Sequence, residues 1–237
     1  MALRQQLRRL TADKETEVII VDNFSSKENA MSVSALSKNA THIVLNKENL
    51  GFAAAGNIGA RLARGEWILF LNPDVTISTA AVHEFVAAAA AQKLDAASPK
   101  TSDSRYLKPL PTPVTLVTEF SPLRRLIPLS IFKQKTLTGG CLLIRREIFV
   151  QIGTWDEDFF LWFEDSDLTK RLIDGGYKIG WVDVNAEHAG GVSFRTISES
   201  RRILLFFTSM SIYAKKHFGR IGERIIRLLA NHHGVSV

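Results

Sequence analysis

The segment Phe159-Phe160-Leu161-Trp162-Phe163-Glu164-Asp165-Ser166-Asp167 sets three carboxylates within four residues, directly behind five apolar or aromatic ones. A carboxylate costs free energy to bury unless it is paired or solvated. Aromatic walls raise its pKa, which suits a general base that takes a proton near neutral pH. The plain alternative is an acidic first helical turn after a buried loop, where the helix dipole favours acids and lowers their pKa. That alternative accounts for the acids but not for their aromatic approach. Asp74 in Asn72-Pro73-Asp74 follows an apolar run, where an acid can hold Mg2+ or Mn2+ against a diphosphate. The same residue types also favour simple turns. Asn49-Leu50-Gly51-Phe52, with Asn57 and Gly59, leads into an alanine-rich run. A glycine beside a helix N-terminus lets N–H groups approach an anion, and it serves equally as a cap with close packing at small residues. His188 in AEHAGG has the chemistry of a metal ligand or phosphate contact and equally of a structural histidine. His42, His83, His217, His232 and His233 have no supporting context. Cys141, the one cysteine, reads as a small buried hydrophobe and excludes an intramolecular disulfide or a cysteine zinc site.

These residues need elements to place them. EVIIVD (17–22), HIVLN (42–46), WILFLN (67–72), LDAAS (94–98), GGCLLIRR (139–146) and KIGWVDV (178–184) read as strands. Helical patterns fall at 2–10, after Ser25-Ser26, at 52–64, 79–92, 147–152 and 165–176, and over most of 198–230. Between 17 and 98 strands and helices alternate, which predicts a parallel α/β sheet. In such sheets ligands bind beyond the carboxyl ends of the strands, and Asp22 and Asp74 both stand at such ends. Residues 99–137 break the pattern with six of the seven prolines and a basic excess, a long irregular insertion of the kind that is usually functional or mobile.

The 237-residue chain is long enough to bury a core without covalent staples. Its net charge of +6 admits a phosphate, a nucleotide or an anionic membrane surface as partner and does not choose among them. No recognised nucleic-acid module is present and aromatics are sparse in the basic insertion, so no nucleic-acid partner is expected. The first fifteen residues carry no apolar signal core. The longest uncharged apolar-rich stretch, 203–214, is too short to span a bilayer. The expectation is a cytoplasmic protein, either free or peripheral at the inner face of the plasma membrane, since the helices of 198–230 can pack on the sheet or face a lipid surface.

Five segments in this order, VIIVDNFSS, NLGFAAAGNIGARLARGEWILFLNPDV, TGGCLLIRREIF, IGTWDEDFFLWFEDSDLTKRLIDGGYKIGWV and EHAGGVSF, resemble the inverting glycosyltransferase family 2, with its bacterial rhamnosyltransferase-type members the nearest look-alikes. The resemblance implies the GT-A fold, a Rossmann-like, mostly parallel sheet flanked by helices, here over 1–197 with the insertion 99–137, followed by a C-terminal amphipathic helical extension at 198–237. It implies roles for single residues. Asp165 matches the catalytic base, with Glu164 beside it. Asp74 matches the last acid of a metal-binding Asp-x-Asp in which Asn72 replaces the first. His188 matches a histidine that completes the metal shell in some relatives. Asp22 matches the nucleobase-contacting acid, and Asn49, Gly51 and Asn57 match the glycine-containing helix entry near the donor. Trp162, in the aromatic approach, is counted with the nucleotide-sugar contacts. The implied activity moves a sugar, with dTDP-rhamnose as the donor in view, to a cell-surface glycan or lipid-linked acceptor, with Mg2+ or Mn2+. One departure stands out: relatives begin with a further strand before the first helix, whereas here Met1 runs straight into the helix at 2–10. That keeps a second reading open, an N-terminally truncated, catalytically weak binding or scaffolding module. A glycoside hydrolase also uses carboxylate pairs, but gives no reason for Asp74 and the glycine helix entry together.

Overall fold

The computed structural model describes residues 6–7, 9–24, 40–100, 108–118, 134–188 and 197–237. The helix expected after Ser25-Ser26, part of the helix at 2–10 and much of the basic insertion lie outside them.

The first two strands, β1 (Ile19–Asp22) and β2 (His42–Leu45), pair in parallel. Helix α1 (Phe52–Leu62) follows and packs on β1, where a Cβ added to Gly59 would meet Val21 at 3.3 Å. Next come β3 (Trp67–Leu71), the two-residue β4 (Val75–Thr76) and α2 (Thr79–Ala91). The Ser78 hydroxyl caps α2 by accepting from the Ala81 N–H at 3.1 Å. The chain continues through β5 (Ala96–Pro99), α3 (Pro113–Thr118), β6 (Cys141–Arg145), α4 (Arg146–Gln151), α5 (Glu164–Asp174), β7 (Ile179–Val182), β8 (Glu187–His188) and α6 (Glu199–His232).

The main sheet has the order β3-β6-β5-β7. β6 is antiparallel to both β3 and β5, β5 is parallel to β7, and β4 pairs antiparallel with β8. The sheet is mixed and mostly antiparallel, which corrects the expectation of a mostly parallel one. The physical reason lies in β6. β3, β5 and β7 do run the same way, as the strand–helix alternation requires, but β6 enters between β3 and β5 in the opposite sense. One reversed interior strand turns two ladders antiparallel at once. Its sequence does not show this, because an interior strand covered on both faces is a continuous apolar run in either direction.

The side chains of β6 alternate between two cores. Leu142 and Ile144 join Ile68, Phe70, Phe149, Trp155, Leu168 and Leu172 under α1, α4 and α5. Cys141 and Leu143 join Phe85 and Ala89 of α2 on the other face. A third core sets Phe207, Met210, Tyr213 and Ala214 of α6 against Phe159 and Phe163. Helix α6 bends at Gly219, whose φ of 72° and ψ of −170° leave the helical region. No helix among the described residues is long and apolar enough to cross a membrane.

Candidate active site

The strand-end expectation places Asp22 and Asp74, and both side chains are buried, at 7% exposure each. Asn72-Pro73-Asp74-Val75 is a turn, closed by the Val75 N–H donating to Asn72 O at 3.1 Å. Turn chemistry and delivery of a buried acid are thus the same feature. The ladder of β4 and β8 sets His188 opposite Val75, the neighbour of Asp74. The His188 side chain is outside the described residues.

Glu164 and Asp165 form the first turn of α5. Glu164 is buried at 8% exposure and its Oε2 has no hydrogen-bond partner. Burial, and then the charge of Asp165, push its pKa up to about 8. Asp165 is half-buried. Its carboxyl is also raised by desolvation, opposed by the Lys108 cation and by hydrogen bonds from Gly139 and Ser166. The Ser166 N–H donates to Asp165 Oδ1 at 2.7 Å and the Gly139 N–H reaches Oδ2 at 3.5 Å. The approach is tight at Gly139, where an added Cβ would lie 3.2 Å from Asp165 Cβ and press that side chain by a few tenths of an ångström. The next residue, Gly140, accepts the Asn72 N–H at 2.9 Å. The dipeptide Gly139-Gly140 therefore joins the turn of Asp74 to Asp165.

The glycine helix entry closes the ring. Gly51 has φ +84°, and a Cβ there would meet Phe160 O at 2.6 Å. The Phe52 N–H donates to Phe160 O at 3.1 Å, so the aromatic approach and the start of α1 share a wall. Asn23, directly after Asp22, holds this entry: its Nδ2 donates to Asn49 Oδ1 and Gly51 O at 2.9 Å each, and its Oδ1 accepts from Asn46 Nδ2 and the Leu50 N–H at 3.0 Å each. Asn49 Oδ1 also accepts the Gly51 N–H at 3.0 Å. Asn57 is buried and its amide is engaged by the 155–157 segment: Nδ2 donates to Trp155 O at 2.9 Å and Glu157 Oε1 at 2.8 Å, and Oδ1 accepts the Trp155 N–H at 3.1 Å. Trp162 turns toward α6 and stacks edge-on with Phe206 at 5.7 Å.

Sequence reasoning did not single out Asn23, Lys108 or His217 for a role. Asn23 had a legible signal, a polar residue next to an acid at a strand end. Lys108 had none, being one of several cations in an irregular stretch. His217 donates from Nε2 to the buried Asp167 at 2.8 Å, a contact between residues fifty apart that no local pattern announces.

Residues 2–153 match the sequence family described as glycosyl transferase family 2. This is more than half of the chain. The chain belongs to glycosyl transferase family 2. Within that family's reach, a low-salt glycan biosynthesis hexosyltransferase of Haloferax volcanii is 25% identical over 220 residues, covering 88% of this chain and 70% of the relative. An N-acetylglucosaminyl-diphospho-decaprenol L-rhamnosyltransferase of Mycobacterium tuberculosis is 40% identical over 65 residues, 27% of this chain and 20% of the relative. Among solved structures, a mannosyltransferase from Pyrobaculum calidifontis in complex with GDP-Man and Mn2+ superposes with a TM-score of 0.60 at 16% identity, over 97% of this family 2 chain and 65% of the other. At that identity the likeness is one of fold.

Proposed function

We propose that this family 2 glycosyltransferase moves a sugar from a nucleoside diphosphate donor to a hydroxyl of a glycan or lipid-linked acceptor, with inversion at the anomeric carbon. The observation that carries the reading is the Glu164–Asp165 pair at the Gly139-Gly140 turn, the turn that also holds Asn72 and so Asp74. Asp165 takes the proton of the acceptor hydroxyl as its oxygen attacks the anomeric carbon on the face opposite the leaving group. Glu164, held protonated by burial, keeps a second charge away from that carboxylate. A single displacement of this kind inverts configuration and needs no covalent nucleophile.

Residues for a divalent cation are present in part. Among the described residues no group of three or more His, Cys, Asp or Glu side chains stands together as a metal site. The buried carboxylate of Asp74, and His188, whose backbone pairs with the neighbouring Val75, would hold an Mg2+ or Mn2+ together with a donor diphosphate. Such a cation would neutralise charge on the departing nucleoside diphosphate. Asp22 and the entry at Asn49 and Gly51 form the donor side, Asn57 supports the 155–157 wall, and Trp162 frames the aromatic approach.

For the donor we propose dTDP-rhamnose, which draws on the match to a rhamnosyltransferase over 65 residues. For the setting we propose the cytoplasmic face of the plasma membrane, on the strength of an exposed apolar and basic face of α6. A second reading, a binding or scaffolding module of low turnover, draws on one observation: among the described residues no ladder joins β1 to β3. The deciding experiment offers a panel of nucleotide sugars and a lipid-linked diphosphate acceptor to the purified chain with Mn2+, and reads the anomeric configuration of the product by NMR. Inverted product with dTDP-rhamnose is the expected result. Retained configuration overturns the single displacement, and donor binding without product supports the module.

A further inference from the structure

Glu164 and Asp165 open α5 without a side-chain cap, and the bonds to Asp165 from Ser166 and Gly139 do not reach the rest of the turn. The N-cap residue, Phe163, makes no side-chain capping bond. Trp162 and Phe163 both lie at positive φ, 65° and 67°, a conformation that costs about 1–2 kcal/mol per residue and persists only where the surroundings over-determine it.

The surroundings converge on Asp167, the third acid of the same turn, whose side chain is wholly buried. Its Oδ1 accepts from His217 Nε2 at 2.8 Å and Lys216 Nζ at 2.9 Å. Its Oδ2 accepts from Arg171 Nε at 2.8 Å. Arg171 continues to Ile152 O at 2.6 Å and Thr154 O at 2.8 Å. Lys216 also pairs with Asp156. The Tyr213 ring lies 4.6 Å from that of His217, and the Tyr213 hydroxyl donates to Pro111 O at 3.2 Å. A buried carboxylate is tolerated only with such partners.

We infer that Lys216 and His217, from the C-terminal helix, are positioning residues for the reaction: through Asp167 they hold the first turn of α5, and with it Asp165, where the acceptor's proton is taken. The inference rests on the reading of Asp165 as the base. The geometry is directed at that turn. The other acid of α5 outside it, Asp174, is paired by Lys170 of the same helix at 2.7 Å, whereas both α6 groups reach Asp167. Lys216 also ties Asp156, in the segment that Asn57 fastens to α1, so one lysine joins the base-bearing helix to the donor side. A reacting group displaced by about an ångström costs up to about 10²-fold in rate.

The test uses the full chain with Lys216→Met, His217→Asn, Lys216→Arg and Lys215→Met, each alone and, for the first two, together with Asp165→Asn. Turnover, donor KM and melting are measured, with assays run below the melting point of the least stable variant. Lys216→Met and His217→Asn should each lower kcat roughly 10- to 100-fold with donor KM unchanged. Lys216→Arg should restore most of the rate, and Lys215→Met should leave it intact. In the Asp165→Asn background the two substitutions should cost nothing further, because their effect runs through Asp165. Losses that multiply in that background, or parental kcat in the single variants, overturn the inference and leave Asp165 as the base. Parental kcat in Asp165→Asn alone removes the base and the inference together.

Discussion

Three carboxylates share the first turn of α5 and meet three different environments. Asp167 has cations in contact, Asp165 has hydrogen bonds and a more distant lysine, and Glu164 has only its own backbone N–H and that same lysine against its burial. Asp165→Asn keeps size and removes the proton acceptor, so turnover should fall about 10²- to 10⁴-fold with donor affinity kept; a larger loss in Glu164→Gln would move the base by one residue. Stability carries the same contrast with opposite signs. The Glu164 pKa is raised to about 8 from 4.5, so the folded state holds a proton that the unfolded chain has lost. Its contribution is complete below the unfolded pKa and is lost as pH rises between those two values. Glu164→Gln should flatten the fall in melting temperature across that window. Asp167, lowered to about 2 from 3.8, contributes above its unfolded value, and that contribution is lost as pH falls through the acid range. At Asp74 the expected result is that Asp74→Ala and EDTA each abolish transfer while the variant melts like the parent. Full activity in EDTA would remove the metal from this site. The acidic turn and its aromatic approach were legible in the sequence, since composition alone marks them. Which acid is neutralised was not, because beside the local Arg171 the partners of Asp167 are Lys216 and His217, far along the chain.

The elements were legible almost throughout, and their pairing was not. Apolar runs and helical periods place β3, α2, β6 and α5 to within a few residues, because burial dictates residue type locally. Strand direction depends on where the chain re-enters the sheet, and the basic, proline-rich stretch before β6 carries no periodicity from which to read that. The glycine entry was legible as a motif but ambiguous in purpose. The structure shows both close packing and conformation at work, with Gly51 at positive φ against Phe160 and Gly139 against Asp165. These two glycines separate fold from chemistry. Gly51→Ala should destabilise by at least about 1 kcal/mol, lowering the melting temperature by a few degrees in a chain of this size. At Gly139 the added Cβ meets Asp165 Cβ at 3.2 Å, so Gly139→Ala should lower turnover more than it lowers melting. The reverse order of effects, measured by thermal unfolding and initial rates on both variants, would place the close approach outside the reacting geometry.

At the scale of the whole molecule, α6 divides its two halves between packing and exposure. Before Gly219 its apolar side chains Phe207, Met210, Tyr213 and Ala214 are buried against the aromatic approach. After it, Ile226 and Ala230 face inward, while Ile221, Ile225 and Leu228 stand 74%, 40% and 70% exposed. Their spacing puts them on one face of the helix, and Arg220, Arg224 and Arg227 flank one side of it. Arg227 is partly committed to Glu223 and the Val237 carbonyl. A second copy of the chain is a poor cover, because a symmetric contact would set the arginine row against itself. An anionic lipid surface satisfies both halves of the pattern, taking the apolar ridge into the headgroup boundary and the arginines onto phosphates. The chain should therefore bind phosphatidylglycerol-containing vesicles at low salt and release them as screening shortens to about 10 Å near 0.1 M. Ile221→Ser with Leu228→Ser should abolish that binding at an unchanged melting temperature, since both side chains already face water. Arg220→Glu with Arg224→Glu should weaken binding by about 1 kcal/mol or more per residue and leave turnover on a soluble acceptor as it was. Equal binding to neutral vesicles would mean that the arginines take no part, and no binding at low salt would leave the exposed ridge without a lipid partner.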